Sequence, residues 1–211
     1  MIFLEVLTEG SSDVPAVKEI LTRRFNLKEN EHFRIHPHRG KGSLPANPLS
    51  LPDPRKRGLL DQLPAKLRGY AHMPEWYCIV VLVDSDNADC RTLKESLVSL
   101  YSMLDRRPDC VLFRIAVEET ESWFLADSNA IRLAYRRART QRLSNIQPDS
   151  VMGSWEKLAE IIGRKPHECD GRDKFEWSMK IAPHLNLDQP QSPSLNAFVT
   201  GVERLISVRG L

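Results

Sequence analysis

The chain opens on a continuous apolar run, Ile2 to Thr8, closed by Glu9-Gly10. A run this short, bounded by turn residues, predicts a buried strand. Ser11, Ser12 and Asp13 then offer N-capping side chains, and Val17, Ile20, Leu21 and Phe25 follow at helical spacing. Phe33 to His36 predicts a short second strand. Leu59 to Tyr70 reads as a helix with Pro64 as a kink. The clearest strand is Tyr77 to Val83, whose unbroken apolar character suits a central parallel strand covered on both faces. A helix from Arg91 to Leu104, a strand from Val111 to Val117 and a helix carrying Trp123, Phe124 and Leu125 complete the alternation. Such βαβ order predicts an α/β fold: a central, mainly parallel Rossmann-like sheet flanked by helices. Beyond Ala126 only helical periodicity remains, over Asn129–Arg142, Val151–Ile162, Lys174–Leu185 and Leu195–Ser207. The expected organisation is an α/β core over residues 1–126 and a helical extension over 127–211, packed together as one unit. The helical third could cover the sheet or form a homodimer interface.

Composition narrows the classes. The 211 residues are 41% hydrophobic and 27% charged, as in an ordinary globular chain, which excludes a disordered or coiled-coil protein. Lys and Arg number 30 against 28 Asp and Glu, so a uniformly basic nucleic-acid coat is excluded while local patches are not. No apolar run approaches the roughly 20 residues that span a bilayer, and no cationic leader precedes the first strand; a cytoplasmic location is the expectation. Cys78, Cys90, Cys110 and Cys169 form no Cys-x-x-Cys pair, which argues against a zinc ribbon or a disulfide framework.

Acidic residues follow three of the predicted strands: Glu9 with Asp13, Asp84 with Asp86, and Glu119 with Glu121. Ligands of open α/β sheets bind at the carboxyl ends of the strands. Neighbouring strands would therefore gather up to six carboxylates, whose mutual repulsion raises their pKa values unless a cation intervenes. Oxygen-only donors favour Mg²⁺ or Mn²⁺. In extended chain Asp84 and Asp86 point the same way, so both would face one site. Each motif alone has an ordinary explanation in turn, cap or helix-dipole chemistry, and capping accounts well for Asp13.

The order Glu9-Gly10, then Val83-Asp84-Ser85-Asp86, resembles the Toprim fold, the metal-dependent domain of topoisomerases, primases and certain phage-defence nucleases. More closely, the chain resembles a bacterial Toprim-like family of unassigned function. That resemblance rests on the Asp-x-Asp followed by Glu119-Thr120-Glu121-Ser122-Trp123 with Asp127, and on Ser192-Pro193-Ser194-Leu195-Asn196-Ala197-Phe198. It implies a nuclease, working beside an ABC-type ATPase as the overcoming-lysogenization-defect nucleases do. No Gly-x-x-x-x-Gly-Lys-Ser/Thr occurs, so ATP hydrolysis would come from another chain.

Phosphodiester hydrolysis requires an activated water and relief of charge in the transition state, which two divalent ions about 4 Å apart can supply. The expected ligands are Asp84 and Asp86, with Glu9 as ligand or general base, Glu119 and Glu121 at a second position, and Asp13 as auxiliary. Nucleic acid, DNA before RNA, then needs cationic surface beside the acids. Arg34 to Arg57 carries six Lys or Arg against one acid, and Arg132 to Arg142 carries five arginines and none. Arg39, Lys41, Arg136 and Arg139 are the candidate contacts, with Arg132, Arg136 and Arg139 on one helical face and Arg39-Gly40-Lys41-Gly42 offering backbone amides to a phosphate. His36-x-His38 reads as a surface pair; Trp123, Trp155, Phe175, Trp177 and Phe198 read as packing residues.

Two alternatives keep the acidic pocket. A haloacid-dehalogenase-like phosphohydrolase also uses Asp-x-Asp after a strand, but its pair usually follows the first strand, where Glu9 stands here. A non-catalytic metal- or nucleotide-binding regulatory subunit would bind without cleaving.

Overall fold

The computed structural model describes residues 2–209. Its four strands are β1 (Phe3–Thr8), β2 (Phe33–Pro37), β3 (Tyr77–Asp84) and β4 (Val111–Ala116), all parallel in the order β2-β1-β3-β4. Helix α1 (Asp13–Phe25) joins β1 to β2, α2 (Leu59–Gly69) precedes β3, and α3 (Cys90–Met103) joins β3 to β4. The chain then continues through α4 (Glu121–Leu125), α5 (Ser128–Ala134), α6 (Ser154–Ile162), α7 (Gly171–Ile181) and α8 (Pro193–Arg209). The α/β architecture read from the sequence is the one observed. Among the described residues no helix is long and apolar enough to cross a membrane.

The two-residue period of the strands sorts their side chains into two cores. Leu4, Val6, Val80 and Leu82 face α1 and the helices of the last third, in one cluster with Phe124, Trp177, Ile181, Phe198 and Val202. Leu7, Ile79, Val81 and Val83 face α2 and α3, with Leu63, Leu67, Leu97 and Leu100. β3 is apolar at successive positions because both of its faces are covered. The helical third thus covers one face of the sheet.

The Ser192-Pro193-Ser194 segment holds that cover in place. Asp149 accepts from the Ser192 hydroxyl and the Ser194 amide, both at 2.7 Å, at the start of α8. The Ser194 hydroxyl in turn accepts from the indole Nε1–H of fully buried Trp123 at 2.9 Å. Ser194→Ala strands that N–H, and a loss of about 1–3 kcal/mol in urea unfolding is expected.

Several expectations change. The predicted Asn129–Arg142 helix ends at Ala134, because Tyr135 is extended (φ −132°, ψ 90°) and the Arg139 amide bonds the Ile161 carbonyl rather than its own helix. Arg132, Arg136 and Arg139 therefore share no helical face. Phe175 is exposed rather than packed. Cys78 and Cys110 form a disulfide with Cα atoms 4.7 Å apart, contrary to the reading from cysteine spacing. Parallel register explains the pairing: Ile79 opposes Val111, so the preceding residues face each other across 32 positions of sequence. His36 and His38 are each engaged, His36 with the buried Glu5 carboxylate and His38 with the Thr8 carbonyl at 2.8 Å. Burial alone would raise Glu5, but the His36 and Tyr77 hydrogen bonds outweigh it and hold the carboxyl below its usual range.

Candidate active site

The strand order reverses between β1 and β3, since the chain passes outward to β2 on one side and to β4 on the other. A crevice opens at such a switch point, at the carboxyl ends of the two central strands. Glu9 follows β1 and Asp84 ends β3, and a Glu9 carboxylate oxygen accepts from the Asp84 amide at 2.8 Å across the gap. Glu9 is 8% exposed. Asp84 lies on the floor of the crevice, enclosed by protein although part of its surface stays accessible.

Asp13, 4% exposed, is the first residue of α1. The residue at the cap position, Ser12, makes no side-chain cap bond. Asp13 instead reaches back to the Gly10 amide (3.0 Å) and takes a second bond from the Thr120 hydroxyl (2.9 Å). It is thereby tied both to the turn after β1 and to the segment after β4. Glu119 and Glu121 arrive on that segment, Glu121 only 2% exposed. Glu118 adopts φ 62° and its carboxylate accepts from the Gly153 and Ser154 amides (3.0 and 2.9 Å) at the start of α6. That anchor draws α6 against the crevice and brings the Ser154 hydroxyl to Glu119 at 3.3 Å.

Five carboxyl groups, Glu9, Asp13, Asp84, Glu119 and Glu121, are thus electrostatically joined. Burial, then repulsion from Asp13, Glu9, Glu121 and Glu119, pushes Asp84 well above the carboxylate range. Burial raises Glu9 and Glu121 to about 8 each, and raises Asp13 and Glu119 as well.

Sequence reasoning missed the cation among them. Lys174 of α7 places its ammonium 3.0 Å from Glu119 and 3.4 Å from Glu121. Burial would depress Lys174, but Glu121 and Glu119 outweigh it and hold the ammonium above its usual range. Glu121 nevertheless stays raised, because burial, with repulsion from Glu119 and Asp13, outweighs the pull of the Lys174 ammonium. A signal for Lys174 was present: with Trp177, Ser178 and Ile181, all buried, it falls on the inward stripe of α7 (i, i+3, i+4, i+7). A lysine on such a stripe needs a charged partner.

Asp86 departs from its expected place. β3 ends at Asp84, and Asp86 turns to φ 47°, so the two side chains do not follow extended alternation. Asp86 is 52% exposed and pairs with Lys41 at 2.9 Å; Lys41 also reaches the Ser85 carbonyl at 3.1 Å. The Arg39 and Gly40 amides are likewise occupied, by the Arg57 and Glu9 carbonyls. Arg39 itself is exposed beside the crevice. Arg136 and Arg139 are exposed near the carboxyl end of α6, about 10 Å along that helix from its Ser154 end. Asp127 caps α5 through the Ala130 amide and also binds the Asn186 amide, a structural role.

As the side chains stand, no three His, Cys, Asp or Glu among the described residues are placed to hold a metal ion. The donor chemistry still fits a hard divalent cation: the groups are all carboxyl, buried or half-buried, and short of positive charge.

The fold and site together define an α/β protein of parallel-sheet type with an acidic crevice at its switch point. The chain belongs to a family described as a domain of unknown function (DUF4276), whose model matches residues 8–203. No curated protein matches it. Among solved structures it is similar to the C-terminal region of the Burkholderia pseudomallei OLD protein, at TM-score 0.54 and 14% identity, covering 98% of both chains. It is also similar to the C-terminal region of the Xanthomonas campestris pv. campestris OLD protein, at TM-score 0.51 and 14% identity, covering 97% of this chain and 96% of that one. Likeness at this identity is likeness of fold.

Proposed function

We propose that this protein is a Toprim-type, divalent-metal-dependent nuclease that hydrolyses phosphodiester bonds of nucleic acid. The observation that carries the reading is the bridge from Glu9 to Asp84 at the switch point, surrounded by the buried Asp13 and Glu121 carboxyls and the half-buried Glu119. Burial of this kind, only partly compensated by Lys174, is costly and marks a site whose missing charge arrives with a ligand. The fold likeness to the OLD C-terminal regions supports the same reading.

Asp84, Glu9 and Glu121 would hold Mg²⁺ or Mn²⁺, with Glu119 and Asp13 completing the set and Asp86 at the rim. Such an ion would supply Lewis-acid stabilisation of charge at the reacting phosphorus. Glu9, raised to about 8 by burial while no cation is present, would give up its proton as the ion binds. Lys174, held as an ammonium, would place a fixed positive charge beside a phosphate oxygen once the carboxyls engage the metal. Action beside an ATPase subunit in phage defence belongs to this proposal, and co-purification with a neighbouring ATPase would support it.

The test is a plasmid and oligonucleotide cleavage assay with Mn²⁺, Mg²⁺ or EDTA, comparing the wild type with Asp84→Ala. Metal-dependent cleavage that disappears in the variant supports the nuclease. Manganese binding without cleavage would instead support the regulatory-subunit reading.

A further inference from the structure

The connection from β2 to α2 is too long and ordered to be a plain link. It leaves β2 beside the site, where the His38 amide bonds the Thr8 carbonyl (3.0 Å) and the Gly40 amide bonds the Glu9 carbonyl (2.9 Å). It returns against itself: the Arg39 amide bonds the Arg57 carbonyl (3.2 Å), and the Leu59 amide bonds the Gly40 carbonyl (2.9 Å). Gly42 and Gly58 close this neck so tightly that a Cβ on Gly58 would stand 2.5 Å from Gly42 backbone atoms. Asp61 fastens both sides, accepting from the Ser43 and Gly58 amides.

This closure gathers residues from both ends of the loop. Arg39, Arg55 and Arg57 line one open pocket together with Pro54, and no acidic side chain lines it. Arg39 and Arg57 have no carboxylate partner among the described residues, and Arg55 has only a 3.4 Å contact to Asp53 from a 91% exposed side chain. Three guanidinium groups on one pocket repel each other in isolation. They match a phosphate, which accepts paired N–H bonds from each planar fork. Gly40, next to Arg39 in the chain, donates its amide to the Glu9 carbonyl, which ties one wall of the pocket to the turn that carries Glu9.

We infer that Arg39, Arg55 and Arg57 form a phosphate-binding subsite that grips the nucleic-acid strand next to the scissile bond. The inference rests on the nuclease reading for its substrate class, but binding tests it apart from cleavage. The strand crosses from the acidic crevice to the arginine pocket, which fixes the reacting phosphate and leaves Lys41 committed to Asp86.

Fluorescence anisotropy of a labelled oligonucleotide in EDTA at low salt measures the grip without chemistry. Arg39→Gln/Arg55→Gln/Arg57→Gln is expected to weaken binding at least tenfold. The slope of log affinity against log salt should fall by about two, the release lost with three phosphate contacts. Lys28→Gln/Arg106→Gln, exposed but remote at the amino ends of β2 and β4, should leave both values near wild type. The inference is overturned if the wild type binds no oligonucleotide, or if the triple variant binds unchanged. Equal weakening by the remote pair, or displacement of the strand by equimolar inorganic phosphate, overturns it too. Absence of Mn²⁺-dependent cleavage with strand binding intact would sink the nuclease reading alone; cleavage with unchanged affinity in the triple variant would sink the subsite alone.

Discussion

Asp84→Asn is expected to abolish cleavage and at the same time stabilise the metal-free protein. Asp84 is held well above the carboxylate range by burial and by Asp13, Glu9, Glu121 and Glu119. A group raised on folding contributes fully below its unfolded pKa, and that contribution is lost as pH climbs through the folded value. Glu9 and Glu121 behave alike, so metal-free stability should fall between about pH 4.5 and about pH 8. Each group that keeps its proton in the fold adds a slope of about 1.4 kcal/mol per pH unit in that window. Asparagine carries no charge to relieve. The variant should match the wild type near pH 4 and exceed it at pH 8, by about 2–4 °C in Tm for every kcal/mol gained. Manganese should raise the wild-type Tm most at pH 8 and raise the variant's far less. Thermal melts across pH, with and without Mn²⁺, decide this. A variant less stable than the wild type at pH 8 would show that Asp84 is a structural anchor and not a strained ligand.

Lys174→Met is expected to act in the opposite direction. Methionine fits the inward stripe of α7 beside Trp177 and Ile181, so volume is largely kept. What is lost is the one ammonium against Glu119 and Glu121. Breaking a buried ion pair from one side typically costs about 3–5 kcal/mol because the other charge is left uncompensated. Here the carboxyls can take up protons instead, so the loss should be large at pH 8 and shrink as pH falls toward 5. Glu121→Gln added to Lys174→Met should recover part of the stability, since it removes a charge the lysine had balanced. Urea unfolding at the two pH values measures both effects. A loss of equal size at pH 5 and pH 8 would mean that Lys174 acts through packing alone.

The family match and the solved OLD likenesses bear on the chain almost end to end, yet few residues build the acidic crevice. Those residues come from four separate stretches: the turn after β1, the end of β3, the segment after β4 and the inward face of α7. The first three were legible because a sheet with crossovers must deliver strand ends to one edge, and acids stood at three such ends. Asp13 was legible as a cap and an auxiliary ligand; its two hydrogen bonds, to Gly10 and Thr120, depend on α1 and the post-β4 segment meeting.

Apolar periodicity by itself determined the strands, the helices on either side of them and the identity of the acidic residues at the sheet's edge. Burial patterns are local, and two- and 3.6-residue periods record them in the chain. Only the tertiary structure decided that Asp86 turns outward, that the arginine-rich segment after α5 leaves the helix, that Cys78 meets Cys110, and that Lys174 enters the acidic crevice. Each of these depends on a contact between residues far apart in sequence, and the energy that fixes it belongs to the pair rather than to either segment.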